Sequence, residues 1–443
     1  MKYNLEQIKQ KIGEQEILRI AQQSGFQKRK PRKIDGVSFV LGFFLLVQMG
    51  KTGLKDWAKS IGRLTGHLVS KQGLQKKLQF RHEAFARQLL SWAVQQSAHK
   101  DGHKQIDLFK VFSHVYLEDS TCLGLPRSLA PFYPGPHSHT HESCATARIQ
   151  LRMELLSETY EGIWLESYRN NDQSFAPRIV DILSPGCLVI RDMGYFSLAC
   201  FRAIMGKMSF FLSRWRYGTK VFDPKTQEDL DLVKQLRLLK KKGKQVLDRE
   251  VLLGKKEKLS VRLVAIEAPL KIARARRYKA KKDRSAKAAH SKAYMELLGW
   301  TIFITNVGEQ TWGPKDILKA YRFRWRIEII FKCWKHKLNL DKLFDGKGLL
   351  TPPRVTITIY LMLVWLTLTV GTWYSYFVHQ VYQQKQKFLS VLMFADFVRE
   401  RFWELLLAKQ YHPFIDELAR YYAHEKRKSR KCYLEFLYES KLS

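Results

Sequence analysis

The segment Tyr321 to Leu338, YRFRWRIEIIFKCWKHKL, holds the densest group of side chains that could do chemistry. On a helix turning about 100° per residue, Tyr321, Arg324, Glu328 and Lys335 share an arc of about 60°, and Lys332 flanks it. Ile327, Ile330, Phe331, Trp334 and Leu338 fall on the opposite side. One face is then a core stripe, and the other is a single carboxylate ringed by cations and a phenol. A carboxylate so placed can face a divalent cation, while the neighbouring positive groups hold the phosphates on which that cation acts. A surface face with i,i+4 ion pairs, Arg324 with Glu328 in particular, would give the same pattern. Cys333 projects away from the acidic arc and reads as a partly buried thiol.

The elements around this segment follow from periodicity. Residues 1–108 carry apolar positions at helical spacing with basic residues between them. Within them Thr52 to Leu78 fits a helix-turn-helix, its second helix bearing Lys71, Gln72, Gln75, Lys76 and Lys77, and fits a plain basic helical bundle equally well. FSHVYLEDS, IQLRMELL and GIWLESYR predict three strands, with a long loop over 122–145 after the first. SFAPRIVDIL predicts a helix, CLVIRDMGY a short strand ending in an acid, LACFRAIMG a helix and SFFLSRWRYG a strand. This β-β-β-α-β-α-β order is that of half a ribonuclease H fold, an order that other α/β folds share in part. Residues 216–300 interrupt it with a basic stretch. Between Lys271 and Lys292 there are ten Lys or Arg and one acid, Asp283. Inside a folded frame, such a run predicts a surface that tracks phosphates. WTIFITNV at 300–307 predicts a strand, and a long helix is expected from Pro314 to Leu340.

Charge narrows the partners. The chain of 443 residues has 77 Lys and Arg against 41 Asp and Glu, a formal net charge of +36. Nucleic acid is the usual counterpart of such an excess, with an anionic membrane surface as the rival. Six scattered cysteines, 122, 144, 187, 200, 333 and 432, form no CxxC pair and suggest unpaired thiols in a reducing compartment. The N-terminal MKYNLEQIKQKIGEQE lacks the apolar core of a signal peptide. Val355 to Val378 runs 24 residues without a charge, but five threonines, a serine and a glycine favour a buried core helix over a membrane span. The histidine tract Pro136 to Glu142 lies among Pro and Gly and reads as a polar loop, not a zinc site. No glycine-rich phosphate cradle is present, so no nucleotide cofactor is expected.

Tyr321-x2-Arg324-x3-Glu328-x6-Lys335 resembles the YREK signature of bacterial transposases in the insertion sequence 4 (IS4) family, and RWRIE around it strengthens the likeness. Two further blocks of that family have counterparts in the same order: Asp119-Ser120-Thr121 for its Asp-Ser-Thr, and Asp192-Met193-Gly194-Tyr195 for its Asp-x-Gly-Tyr/Phe. Trp300 to Asn306 resembles its aromatic strand ending in Thr-Asn. The likeness spans roughly residues 110–340. Met193 departs from the Arg often found there, which could alter a phosphate or loop contact.

The resemblance implies a DDE enzyme with Asp119, Asp192 and Glu328 as catalytic metal ligands for two Mg²⁺ ions, Mn²⁺ substituting. It implies that Tyr321, Arg324, Lys332 and Lys335 meet phosphates near the cut, and that Trp300 stacks on a flipped base; a strand-end core aromatic is the alternative for Trp300. Arg276, Arg277, Lys281 and Lys282 are added as DNA contacts on the basic stretch. The implied fold class is α/β: a ribonuclease H-like core with a β-rich basic insertion, flanked by helical domains. The expected divisions are a helical DNA-binding domain over 1–108, the core over 109–215 and 308–378, the insertion over 216–307 and a helical C-terminal domain, a candidate for dimerisation, over 379–443. Expected partners are duplex DNA, as terminal inverted repeats and target, and a second copy of the chain. No membrane partner is expected, and the setting is a bacterial cytoplasm and its nucleoid. The activity implied is cut-and-paste transposition through a hairpin; a nuclease on the same fold that cuts without joining, and a domesticated DNA-binding descendant, are the alternatives.

Overall fold

A computed structural model describes residues 12–29, 31, 33–98, 106–136, 144–283, 291–344 and 350–424. The histidines at 137, 139 and 141 and Cys432 lie outside them. The chain forms two compact units. One comprises residues 105–119 and 171–325, the other 1–104, 120–170 and 326–443. The basic stretch over 216–307 shares a unit with 109–119 and 171–215, and its strands continue one sheet with theirs.

In the first unit the strand order is β1-β4-β5-β9-β8-β7-β6. These strands are β1 (Val115–Leu125, of which the unit takes the part to Asp119), β4 (Leu188–Arg191), β5 (Phe210–Arg214), β6 (Val221–Phe222), β7 (Val246–Leu253), β8 (Leu259–Glu267) and β9 (Trp300–Thr305). β1, β4 and β5 pair in parallel, while β9, β8, β7 and β6 add antiparallel to β5. β4 is apolar and wholly buried up to its last residue, as a central parallel strand must be. The helix Leu198–Gly206 carries the chain from β4 to β5, capped by Ser197. Thr305 and Asn306 lock β9 to β5: Asn306 accepts from the Phe211 amide at 2.8 Å and donates to the Ser209 carbonyl at 2.9 Å. Thr305 Oγ1 donates to the Phe211 carbonyl at 2.6 Å.

The second unit carries the order β3-β2-β1, with β2 (Ala145–Glu154) and β3 (Thr159–Ser167) forming an antiparallel hairpin. Its helices include Gly36–Gln48, Leu54–Thr65 and Glu83–Ala98 before the hairpin and Pro352–Leu366, Thr372–Lys385 and Val391–Leu407 after it. The apolar helical stretch Pro352–Lys385 is the core of this unit: 78% of its most hydrophobic window is buried against protein, the environment expected from its threonine content. Those threonines satisfy their hydroxyls on the preceding turn, Thr358 on Arg354 and Thr367 on Leu363, both at 2.7 Å. In the stretch read as a helix-turn-helix, the first helix is Leu54–Thr65 and the second, Lys71–Gln75, has only five residues. Lys76 and Lys77 lie beyond its end, so the element offers little more than one turn.

Two local expectations change. The helix expected from Pro314 to Leu340 is instead Pro314–Arg322, a break at Phe323 and Arg324, the helix Trp325–Lys332 and a π-helical turn over Cys333–Lys337. No Pro or Gly signals the break. Phe323 is buried there against Phe109, ring centroids 5.3 Å apart, and that packing outweighs continuous helix. Asp119, expected at a strand end, lies in the middle of β1; the pairing of β1 with β4, however, ends one residue earlier, at Glu118 and Arg191.

Candidate active site

Asp119 and Asp192 each follow directly on the last parallel pair of β1 and β4, Glu118 opposite Arg191. Side chains alternate across a strand, so two acids at equivalent positions on neighbouring strands emerge side by side. Asp192 also starts the turn Met193–Tyr195, its backbone carbonyl accepting from the Tyr195 amide at 3.1 Å. Arg324 and Tyr321, brought round by the helix that ends at Arg322, meet this pair. Arg324 Nη1 donates to Asp119 Oδ2 at 3.3 Å, and Arg324 Nε lies 4.0 Å from Asp192 Oδ1. Tyr321 Oη donates to the same Asp192 oxygen at 3.2 Å. Arg324 lies in the break before Trp325 and faces the aspartates together with Tyr321, as their shared arc requires.

The Asp192 side chain is 44% exposed while that of Asp119 is 17% and that of Arg324 10% exposed. The group is therefore rooted in the core and open on one side. Burial, reinforced by the Asp192 charge, raises the Tyr321 phenol well above the usual tyrosine range, so it stays a hydrogen-bond donor at neutral pH. Adjacent carboxylates repel unless a cation compensates them, which the Arg324 guanidinium does in part. Carboxylate oxygens open to solvent on one side are the donor set a hard divalent cation takes.

Glu328 belongs to the other unit, three residues beyond the boundary at Trp325. It is half-buried on the helix Trp325–Lys332, whose opposite side buries Ile327, Ile330 and Phe331 as the projection required. Lys335 lies in the same unit and donates to the Cys122 carbonyl at 2.7 Å, while Lys332 is exposed. Cys333 is fully buried. Among the described residues no three His, Cys, Asp or Glu side chains form one metal-holding group. Asp119 and Asp192 stand together with Arg324, and Glu328 is placed by its own unit.

Residues 112–344, just over half of the chain, match the family model described as Transposase DDE domain. The chain belongs to the DDE transposase family. It is similar to the transposase for insertion sequence element IS231F of Bacillus thuringiensis subsp. israelensis, 25% identical over 400 residues that cover 86% of this chain and 82% of that one. It is also similar to the IS231B transposase of Bacillus thuringiensis subsp. berliner, 28% identical over 71% of this chain and 69% of the relative. Among solved structures, a piggyBac transposase synaptic complex with hairpin DNA overlaps 95% of this chain at a TM-score of 0.46 and 8% identity.

The basic stretch of this DDE transposase divides into two kinds of cation. Arg276 and Arg277, expected to meet DNA, are partly buried and tie the helix Leu270–Lys282 to its own unit. Arg276 donates to the Trp300 carbonyl and to Thr301 Oγ1, each at 3.1 Å, and burial lowers its pKa. Arg277 Nε donates to the Met295 carbonyl at 2.9 Å. Lys281 and Lys282 are exposed, with the Lys282 ammonium 4.4 Å from the Tyr278 ring. Trp300 is the first residue of β9 and is 7% exposed. Trp300 borders a cavity of about 440 Å³ that Met193, Arg214, Trp215, Tyr217 and Tyr294 also line. The sequence singled out neither these aromatics nor the buried pair Glu118 and Arg191. The pair had a visible sign: each is a charge at the end of an apolar run and directly precedes an aspartate.

Proposed function

We propose that this DDE transposase is of the insertion sequence 4 type, with a ribonuclease H-like core, and that it cuts and joins element-end DNA in the bacterial cytoplasm. The observation that carries this is the convergence of Tyr321 and Arg324, two members of the YREK pattern, on Asp119 and Asp192. The element order β1-β2-β3, helical segment, β4, helix, β5 supports the core assignment.

In this proposal Asp119, Asp192 and Glu328 hold two Mg²⁺ ions, for which their oxygen donors are suited and Mn²⁺ substitutes. Bound there, such ions supply Lewis-acid activation of the attacking oxygen and neutralise charge on the leaving one. Tyr321 keeps the Asp192 carboxylate oriented through its phenol proton. Arg324, already facing both aspartates, presents its remaining donors to a scissile phosphate. Lys332 and Lys335 neutralise neighbouring phosphates, and Lys281 and Lys282 track the duplex further out. Trp300 stacks on a base turned out of the duplex, steadying a hairpin end before it is reopened and its 3′-OH joined to target DNA. Two copies of the chain pair on the DNA.

Incubating the full chain with duplexes bearing its terminal inverted repeats and Mg²⁺ tests this. Nicked, hairpin and strand-transfer products are expected. Nicking with no joined product would leave a nuclease and overturn the joining activity.

A further inference from the structure

We propose that two buried ion pairs, Glu118 with Arg191 in one unit and Glu158 with Arg326 in the other, are positioning residues that fix how the three acids present their carboxylates. The proposal rests on Asp119, Asp192 and Glu328 being the metal ligands.

Glu118 and Arg191 are partners across β1 and β4, form an ion pair, and have side chains 1% and 2% exposed. The guanidinium also donates to the Ala176 carbonyl at 3.0 Å and to Cys200 Sγ at 3.4 Å, and lies 5.3 Å from the Tyr195 ring. It thereby joins both strands to the segments on one face of the sheet. Alternation turns the next residues, Asp119 and Asp192, to the opposite face, where Tyr321 and Arg324 meet them. The neighbouring apolar runs, Val115 to Leu117 and Leu188 to Ile190, would pack about as well after a slip of two residues. Only one register pairs the two buried charges. Buried ion pairs stabilise little over apolar replacements, and fixing a register is their best-attested use.

The second pair repeats this logic. Arg326 Nε donates to Glu158 Oε2 at 2.8 Å, with side chains 2% and 1% exposed, and its guanidinium lies 4.7 Å from the Tyr374 ring. Glu158 sits in the β2–β3 turn at φ 59°, a conformation unfavourable for a residue with a Cβ. Arg326 precedes Glu328 by two positions, about 200° around the helix. Anchoring Arg326 inward therefore turns Glu328 outward.

The test uses the full chain with an element-end duplex, measuring Mn²⁺ affinity by the spectroscopic signal of free Mn²⁺ alongside cleavage. The double variants Glu118→Leu/Arg191→Met and Glu158→Leu/Arg326→Met replace each pair by apolar groups, and Arg191→Lys and Arg326→Lys keep the charge. Each folded double variant is expected to bind DNA like the parent, to lose roughly tenfold or more in Mn²⁺ affinity, and to recover cleavage as Mn²⁺ is raised. The Lys variants should fall between. A double variant that melts cooperatively with parental Mn²⁺ affinity overturns positioning by that pair. Where a double variant does not fold, the Lys variant decides: unchanged affinity overturns the proposal and weakened affinity supports it. Parental Mn²⁺ affinity and cleavage in Asp119→Asn would instead overturn the metal site itself.

Discussion

Tyr321 and Arg324 do different work on the same two aspartates. The guanidinium offsets their mutual repulsion, and the phenol orients one oxygen of Asp192. Asp119→Asn, Asp192→Asn and Glu328→Gln should each lower cleavage by more than about a thousandfold, about 4 kcal/mol of transition-state stabilisation, with element-end binding retained in a gel-shift assay. Normal cutting by Glu328→Gln would remove that residue from the site. Tyr321→Phe removes a single hydrogen bond to a charged group, worth about 1.5–3 kcal/mol, so roughly a tenfold to hundredfold loss in cleavage rate is expected. The Tyr321 phenol is neutral in the folded chain well beyond pH 10, because burial raises its pKa. Its contribution to stability is present below the unfolded pKa of about 10 and is lost as pH rises above it. Chemical denaturation at pH 8 and pH 11 should therefore show a smaller alkaline loss for Tyr321→Phe than for the parent.

At the scale of elements, the helices and strands were largely legible from periodicity. The helix Leu198–Gly206 and the strands β4, β5 and β9 fall within the expected segments, because apolar patterning marks them, while β1 runs on to Leu125 into the expected loop and β2 and β3 begin earlier than expected, at Ala145 and Thr159. The break at Phe323 and Arg324 was not legible: nothing in YRFRW disfavours helix, and burial of Phe323 decides it. The basic helix Leu270–Lys282 shows the same limit. Its composition announced cations, but only packing separates Arg276, bonded to β9, from the exposed Lys281 and Lys282. Arg276→Ala should lower stability by about 1–3 kcal/mol, since the Trp300 carbonyl and Thr301 hydroxyl lose a donor. Lys281→Ala with Lys282→Ala should leave the melting curve unchanged and reduce the salt dependence of DNA binding by up to about two phosphate equivalents. A steeper effect from Arg276 than from the lysines on that salt slope would reverse the assignment. In the N-terminal helices, burial pushes the His82 pKa down to about 4, helped by Lys77 and Arg81. Its neutral ring packs on Phe26, and its Nδ1–H donates to the Lys77 carbonyl at 3.0 Å. The unfolded chain takes up that proton first, so stability is full above about pH 6.5 and falls as pH drops toward 4. Denaturant titrations at pH 7 and pH 5 should show this loss in the parent and a smaller one in His82→Phe.

At the scale of the whole molecule, a net charge of +36 makes long-range attraction to DNA nearly independent of any one lysine. Binding should weaken steeply with salt. Chelating divalent ions should abolish cleavage while sparing most binding, because the two depend on different groups. The amino-acid sequence by itself pointed to nucleic acid as the partner, set the order of the blocks and supplied the acids and cations proposed for the site. Charge balance and fixed residue spacing survive in one dimension. Only the tertiary structure decided that Asp119 and Asp192 sit side by side, because that depends on which strands pair and in what register. It also decided that Arg324 meets them, and that Arg276 and Arg277 bond to backbone carbonyls of their own unit. Those outcomes depend on which groups share burial, and residues far apart in the chain, such as Phe109 and Phe323, set it.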